Sequence, residues 1–130
     1  MEGTFSEKQV KFFAIQVALG LGHLHAKNII YRDLKPENVL VNEDGYLFIC
    51  DFGISKMINH DAGEIAYTQT GTTEYMAPEI LNAKLNKRGY DFAVDWWALG
   101  CLVYELMVGI PPFYHQNQHK MSKWIRKKNF

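Results

Sequence analysis

Cysteine and proline are scarce, neither sign of charge is in excess, and no long apolar run is present. Two cysteines and four prolines stand among 130 residues. Cys50 and Cys101 lie inside apolar runs and form neither a disulfide framework nor a metal-ligand spacing, which fits packed thiols in a reducing compartment. Cys50 directly precedes Asp51 and would border a pocket built around that carboxylate, although a reactive thiol needs a lowered pKa. Fourteen basic residues cancel fourteen acidic ones, so no global field recruits nucleic acid or a membrane surface. No apolar stretch approaches the roughly 20 residues that span a bilayer, and Met1-Glu2-Gly3-Thr4 lacks the basic start and apolar run of a secretory signal. The expectation is a soluble protein of the cytoplasm, with the nucleus as the alternative.

What is present is core-forming material. Hydrophobic residues make up 48% and aromatics 14%, far from the composition of disorder and enough for one domain. Ser6 can cap a helix in which Val10, Phe13, Val17, Leu21 and Leu24 recur at threes and fours, while Phe12, Ile15 and Leu19 widen the stripe and predict deep burial. Ile29-Ile30-Tyr31 reads as a short strand. Val39-Leu40-Val41 and Tyr46-Leu47-Phe48-Ile49 flank Asn42-Glu43-Asp44-Gly45, whose Asp-Gly suits a hairpin turn. Residues 53–77 are irregular and polar, with Thr68, Thr70, Thr72 and Thr73 bunched near the end, and a loop this long inside a compact domain is usually functional or disordered. Glu79-Ile80-Leu81 begins a short helix, and residues 84–90 read as a basic linker. Residues 91–107 are strongly apolar, with Trp96 and Trp97 adjacent, and predict a central helix buried on most sides and broken by Gly109-Ile110-Pro111-Pro112-Phe113. The last segment places Met121, Trp124 and Ile125 at helical spacing before a basic Arg126-Lys127-Lys128. Neither an internal repeat nor a low-complexity tract is evident.

The chemistry concentrates in Tyr31-Arg32-Asp33-Leu34-Lys35-Pro36-Glu37-Asn38, answered by Asp51-Phe52-Gly53. Hard oxygen ligands suit magnesium, and Asn38 with Asp51 can supply an amide carbonyl and a carboxylate, with phosphate oxygens and waters completing the shell. Asp33 needs only hydrogen-bond reach of a substrate hydroxyl, and Lys35, two residues on, can neutralise charge on a moving phosphoryl. The predicted hairpin would hold Asn38 at one end and Asp51 at the other, turning a spacing in sequence into two neighbouring ligands. For a lone match, a solvated turn with a proline brake would be a fair alternative; the whole octapeptide with Asp-Phe-Gly at this distance argues against it.

These motifs resemble the catalytic domain of a eukaryotic serine/threonine protein kinase, and the resemblance covers nearly all of the chain. It implies a mainly α fold, the large C-terminal lobe, with a small β-hairpin carrying the catalytic and Asp-Phe-Gly segments. Residues 1–130 are then expected to be a partial kinase domain, running from the first long helix to about the helix after Pro112 and incomplete at both ends. Nothing before Ser6 resembles a glycine-rich phosphate loop, a strand with a phosphate-binding lysine or the helix glutamate that pairs with it, so the β-rich N-terminal lobe is expected to be absent and this chain alone inactive. Tyr31 before Arg32-Asp33, Gly71-Thr72 followed by Glu74-Tyr75, and Asp95-Trp96-Trp97-Ala98-Leu99-Gly100 are most similar to the AGC group, which includes the cyclic-nucleotide-dependent, lipid-activated and phospholipid-dependent kinases.

The resemblance assigns roles residue by residue. Asp33 would be the catalytic base, with Lys35 and Asn38 beside it; Lys35, Glu37, Asn38 and Asp51 would face ATP, and Asn38 and Asp51 would hold Mg2+. Thr72 would contact Asp33 and Lys35; Thr73 departs from the proline usual there. Arg32 and Lys56 would pair with a phosphate on Thr68, placed by an activating kinase, with Thr70 the alternative site. Glu37 and Glu105 would recognise protein substrates carrying an upstream arginine, although Glu37 also belongs to a general Pro-Glu-Asn pattern and Glu105 also reads as a helix charge. Asp95 would hydrogen-bond the catalytic-loop backbone, Tyr31 and Phe52 would stack, and Glu79 closes Ala77-Pro78-Glu79 without a visible arginine partner. Two other readings are a non-catalytic, kinase-derived interaction fragment and a small-molecule phosphotransferase of kinase-like fold. The absent lysine strand favours the first, while intact Asp33, Asn38 and Asp51 argue against a decayed site; Ala77-Pro78-Glu79, the Thr72 turn and the threonine-rich loop argue against the second.

Overall fold

The computed structural model describes residues 4–127; the Met1-Glu2-Gly3 start and Lys128 of the basic end lie outside them. Helix α1 (Glu7–Ala26) opens on a reciprocal cap, in which Gln9 N donates to Ser6 Oγ at 3.4 Å and Ser6 N to Gln9 Oε1 at 3.0 Å. Strand β1 (Ile29–Ile30) follows. Strands β2 (Val39–Val41) and β3 (Leu47–Ile49) pair antiparallel in the register Val39↔Ile49, Leu40↔Phe48 and Val41↔Leu47. Gly45 sits in their turn at φ 83°, a left-handed conformation that favours glycine.

The expected mainly α architecture with one small hairpin holds, and a second pair of strands is added. β4 (Lys56–Met57) pairs with β1 as Ile29↔Met57 and Ile30↔Lys56, inside the stretch read from sequence as irregular. Two residues carry no readable alternation; β4 is extended because β1 is there to pair with it. The same stretch contains 3-10 turns at His60–Ala62 and Thr73–Tyr75.

Helix α2 (Pro78–Asn86) begins on proline at its first turn, where a missing N–H costs nothing, and runs into the supposed linker. It stops at Lys87, at φ 53°. Helix α3 (Ala93–Val108) is closed by Gly109 at φ 93°, whose N–H bonds Glu105 O at 2.7 Å. Helix α4 (Gln118–Arg126) is capped by Asn117, whose Oδ1 accepts from Lys120 N at 3.0 Å. Met121 and Ile125 of α4 are buried, whereas Trp124 is half exposed.

Two apolar cores flank residues 31–38, the loop that the kinase resemblance makes the catalytic loop. One gathers Ile30, Ile58, Met76, Ile80, Leu81, Val94, Met121 and Ile125. The other packs Val17, Leu21, Tyr31 and Leu34 against Ala98, Cys101 and Leu102 of α3. Burial is one-sided, contrary to the sequence reading. Phe12, Ile15 and Leu19 of α1 are 51%, 51% and 71% exposed, because α3 and the hairpin cover only the side bearing Val10, Val17 and Leu21. On α3, Trp96, Tyr104, Met107 and Val108 are also exposed while Val94, Asp95, Ala98, Cys101 and Leu102 are buried. Among the described residues no helix is long and apolar enough to cross a membrane.

Candidate active site

The catalytic loop hangs from one buried carboxylate. Asp95, fully buried on α3, accepts from Tyr31 N at 2.9 Å through Oδ2 and from Arg32 N at 2.8 Å through Oδ1, while His25 Nε2 lies 2.7 Å from Oδ2. A buried charge is tolerable when its lone pairs are satisfied in this way. These bonds hold Arg32 at φ 71°, where a non-glycine residue needs its surroundings to keep it. Sequence reasoning did not single out His25. It is separated from Asp95 by 70 positions, and nothing local distinguishes it from His23 in the same helical turn.

A continuous set of side-chain contacts surrounds Asp33. Thr72 Oγ1 donates to Asp33 Oδ1 at 3.1 Å and accepts from Lys35 Nζ at 3.0 Å; Nζ itself is 3.5 Å from that carboxylate oxygen. Asn38 Nδ2 donates to Asp33 Oδ2 at 3.0 Å and to Asp33 O at 2.9 Å. The amino group of Asn38 is thereby engaged, and its carbonyl oxygen is the atom available to a cation. The hairpin brings in Asp51: Cys50 N donates to Asn38 O at 2.9 Å, and Asp51 follows at φ 59°, exposed, with Oδ1 accepting from Gly53 N at 3.1 Å. One amide oxygen and one exposed carboxylate at the same end of a hairpin are a donor set that fits magnesium.

Tyr31 is buried, donates its hydroxyl to Cys50 O, and meets Phe52 edge-on with ring centroids 5.6 Å apart. Burial, and then the charge of Asp33, pushes the Tyr31 phenol well above its ordinary value, so it remains a neutral donor. Phe52 is half exposed.

The threonine-rich segment is tied to the same loop. Arg32 donates through Nε to Ile54 O at 2.6 Å and through Nη1 to the Tyr90 hydroxyl at 3.1 Å, and that hydroxyl donates to Thr68 O. Thr68 is exposed and Thr70 half-buried. Lys56 Nζ lies 4.0 Å from Glu64 Oε1. Neither Tyr90 nor Glu64 was recognised from sequence, since each acts through a neighbour brought in by the fold. Gly71, at φ 116°, lies so close to the loop that an added Cβ would stand 2.7 Å from Arg32 O.

On the other flank, Glu105 accepts from the Tyr75 hydroxyl. Burial first, then the Glu105 hydrogen bond and charge, and then Glu37 and Glu74, push the Tyr75 phenol upward. Glu37 is exposed in the 3-10 turn Pro36–Asn38, and Glu105, on α3, is the carboxylate bonded to Tyr75. Glu79 is exposed in the first turn of α2 and has no ion pair among the described residues.

A family model for the protein kinase domain matches residues 1–130. Protein kinase 2 of Dictyostelium discoideum is 50% identical over 124 residues, covering 95% of this chain and 25% of the relative. The serine/threonine-protein kinase sgk-1 of Caenorhabditis elegans is 48% identical over 120 residues, 92% of this chain and 25% of its own length. Serine/threonine-protein kinase Sgk1-B of Xenopus laevis is 46% identical over 127 residues, 98% and 28% respectively. The chain spans about a quarter of the length of these relatives. With its AGC-like motifs in place around one catalytic loop, the chain belongs to the protein kinase domain family.

Proposed function

We propose that the complete kinase containing this chain transfers the terminal phosphoryl group of ATP to serine and threonine hydroxyls of proteins. The observation that carries this reading is the contact set joining Lys35, Thr72, Asp33 and Asn38. The substrate oxygen forms a bond to the γ-phosphorus as the bond from that phosphorus to the β-γ bridging oxygen breaks; ADP leaves, and the hydroxyl proton passes to the Asp33 carboxylate. Thr72 and Asn38 hold that carboxylate in one orientation, and the Lys35 ammonium balances charge on the phosphoryl in flight. The Asn38 carbonyl oxygen and the Asp51 carboxylate would hold magnesium, which when bound neutralises charge on the phosphate oxygens.

Glu37 and Glu105 beside Tyr75 support a preference for substrates with an upstream arginine, whose planar fork pairs well with carboxylates. An activating kinase phosphorylates Thr68, or Thr70 as the alternative, and the added oxygens draw in Arg32 and Lys56 to order the segment.

The test uses the complete kinase with serine and threonine peptides. Asp33→Asn is expected to lower kcat by about 10²–10⁴-fold while ATP and peptide still bind. Unchanged peptide phosphorylation would remove Asp33 as the base, and transfer to a sugar or choline but to no peptide would favour the small-molecule reading. Thr68→Ala with full activity, in a protein carrying no phosphate there, would end the regulatory assignment.

A further inference from the structure

We propose that Tyr90 is a positioning residue whose buried hydroxyl ties the Thr68 backbone to the Arg32 guanidinium, holding the threonine-rich segment against the catalytic loop while Thr68 carries no phosphate. The inference rests on the reading of Thr68 as the regulatory site. Tyr90 is 4% exposed, and its ring belongs to the core of Ile30, Ile58 and Met76. Its main chain is fixed as well: Ala66 N donates to Tyr90 O and Tyr90 N to Ala66 O, both at 2.8 Å. The preceding residue allows that approach only because it is glycine, since a Cβ on Gly89 would stand 2.6 Å from Ile65 Cδ1 and 2.8 Å from Ala66 O.

With ring and backbone held, the hydroxyl has a defined place. It accepts from Arg32 Nη1 at 3.1 Å and donates to Thr68 O, while Arg32 Nε donates to Ile54 O at 2.6 Å. A neutral phenol can accept and donate at once, and phenylalanine can do neither. The one hydroxyl therefore couples the segment bearing the candidate phosphosite to the residue next to Asp33 and, through Arg32, to the residue after Asp-Phe-Gly. Phosphate on Thr68 would offer the same cation charged acceptors, which form stronger bonds than a neutral hydroxyl. Phenol and phosphate are thus alternative ties for Arg32, and the phenol carries the geometry of the unmodified enzyme.

The complete kinase is compared with its Tyr90→Phe variant, each as the Thr68-phosphorylated form, as the phosphatase-treated form, and in a Thr68→Ala background. Steady-state kcat and KM are measured on a serine peptide with an upstream arginine. Loss of a hydrogen bond to a charged group corresponds to about a tenfold fall in kcat for the unmodified and Thr68→Ala forms, against less than about threefold for the phosphorylated form. Peptide KM is expected to move less than about twofold, and the melting temperature less than about 4 °C. Protease cleavage within residues 59–71 of the native enzyme accelerates in the unmodified form only. Equal falls in both forms, or no fall in either, overturn the proposal. Should the variant melt much lower, the cleavage rates of the two forms at equal folded fraction decide: a ratio equal to the parent's overturns it, a larger ratio supports it. If phosphorylation of Thr68 has no effect in the parent enzyme, the Thr68 reading fails separately. Tyr90 is then judged in the Thr68→Ala background, where a lower kcat supports the tie and an unchanged kcat overturns it.

Discussion

Replacing Asp95 with asparagine tests how the catalytic loop is held. The carboxylate serves two backbone amides, Tyr31 N at 2.9 Å and Arg32 N at 2.8 Å, and the His25 ring at 2.7 Å, from a fully buried position. Asparagine has nearly the same volume but one acceptor oxygen. Its amino group must face either Arg32 N or the Tyr31 and His25 donors, and each orientation opposes donor to donor. A buried donor left unpaired costs about 1–3 kcal/mol and bonds to a charged group lie at the upper end, so about 3 kcal/mol of stability is expected to be lost. At the usual scaling for a domain of about 150–250 residues, that corresponds to roughly 6–12 °C in melting temperature. The same change releases Arg32 from φ 71° and with it the neighbouring Asp33, so kcat should fall more than KM rises. Thermal melting and steady-state peptide phosphorylation of the complete kinase measure both effects. A melting temperature within about 2 °C of the parent, together with unchanged kcat, would refute the view that Asp95 suspends the loop.

Thr72→Ala removes the hydroxyl between Lys35 and Asp33 and should lower kcat by about tenfold, with Thr72→Ser restoring most of it; full activity in the alanine variant would show that the link is dispensable. Gly71→Ala forces a side chain into φ 116° and within 2.7 Å of Arg32 O, so a cost of about 1–3 kcal/mol and faster proteolysis between residues 59 and 76 are expected; parent-like rates would contradict the close approach. Burial, with Glu105 second, pushes the Cys101 thiol from its ordinary 9.0 up to about 12, and Tyr31 and Tyr75 are raised in the same direction. The unfolded chain therefore loses these protons from about pH 9–10 while the folded one keeps them, so the urea midpoint should hold below pH 8.5 and fall above about pH 9–10. In line with this, Cys101 should resist iodoacetamide at about pH 8 until urea is added. A midpoint that rose above about pH 10 would reverse the assigned sign.

The site was legible where its signals are local. Asn38 and Asp51 come to one end of a hairpin whose turn, Asp44-Gly45, and flanking apolar runs stand next to each other in the chain. Ser6 with Gln9, Pro78 and Gly109 mark helix ends within a single turn of themselves. Burial was harder to read. The apolar stripe of α1 gives the width of a face but not its cover, and Phe12, Ile15 and Leu19 are exposed because only the opposite side meets α3 and the hairpin. β4 was hidden for a related reason: two residues have no periodicity, and they are extended only because β1 lies alongside.

The sequence by itself determined the order of the motif residues, the family to which they belong and the local elements that display them. Only the tertiary structure decided partners such as His25 on Asp95 across 70 positions, Arg32 on the Tyr90 hydroxyl across 58, and Tyr75 on Glu105 across 30. Caps, turns and spacings act over a few residues and are written where they act. A hydrogen bond between distant side chains forms only after packed helices and paired strands have fixed both ends, so its existence depends on the whole fold rather than on either residue.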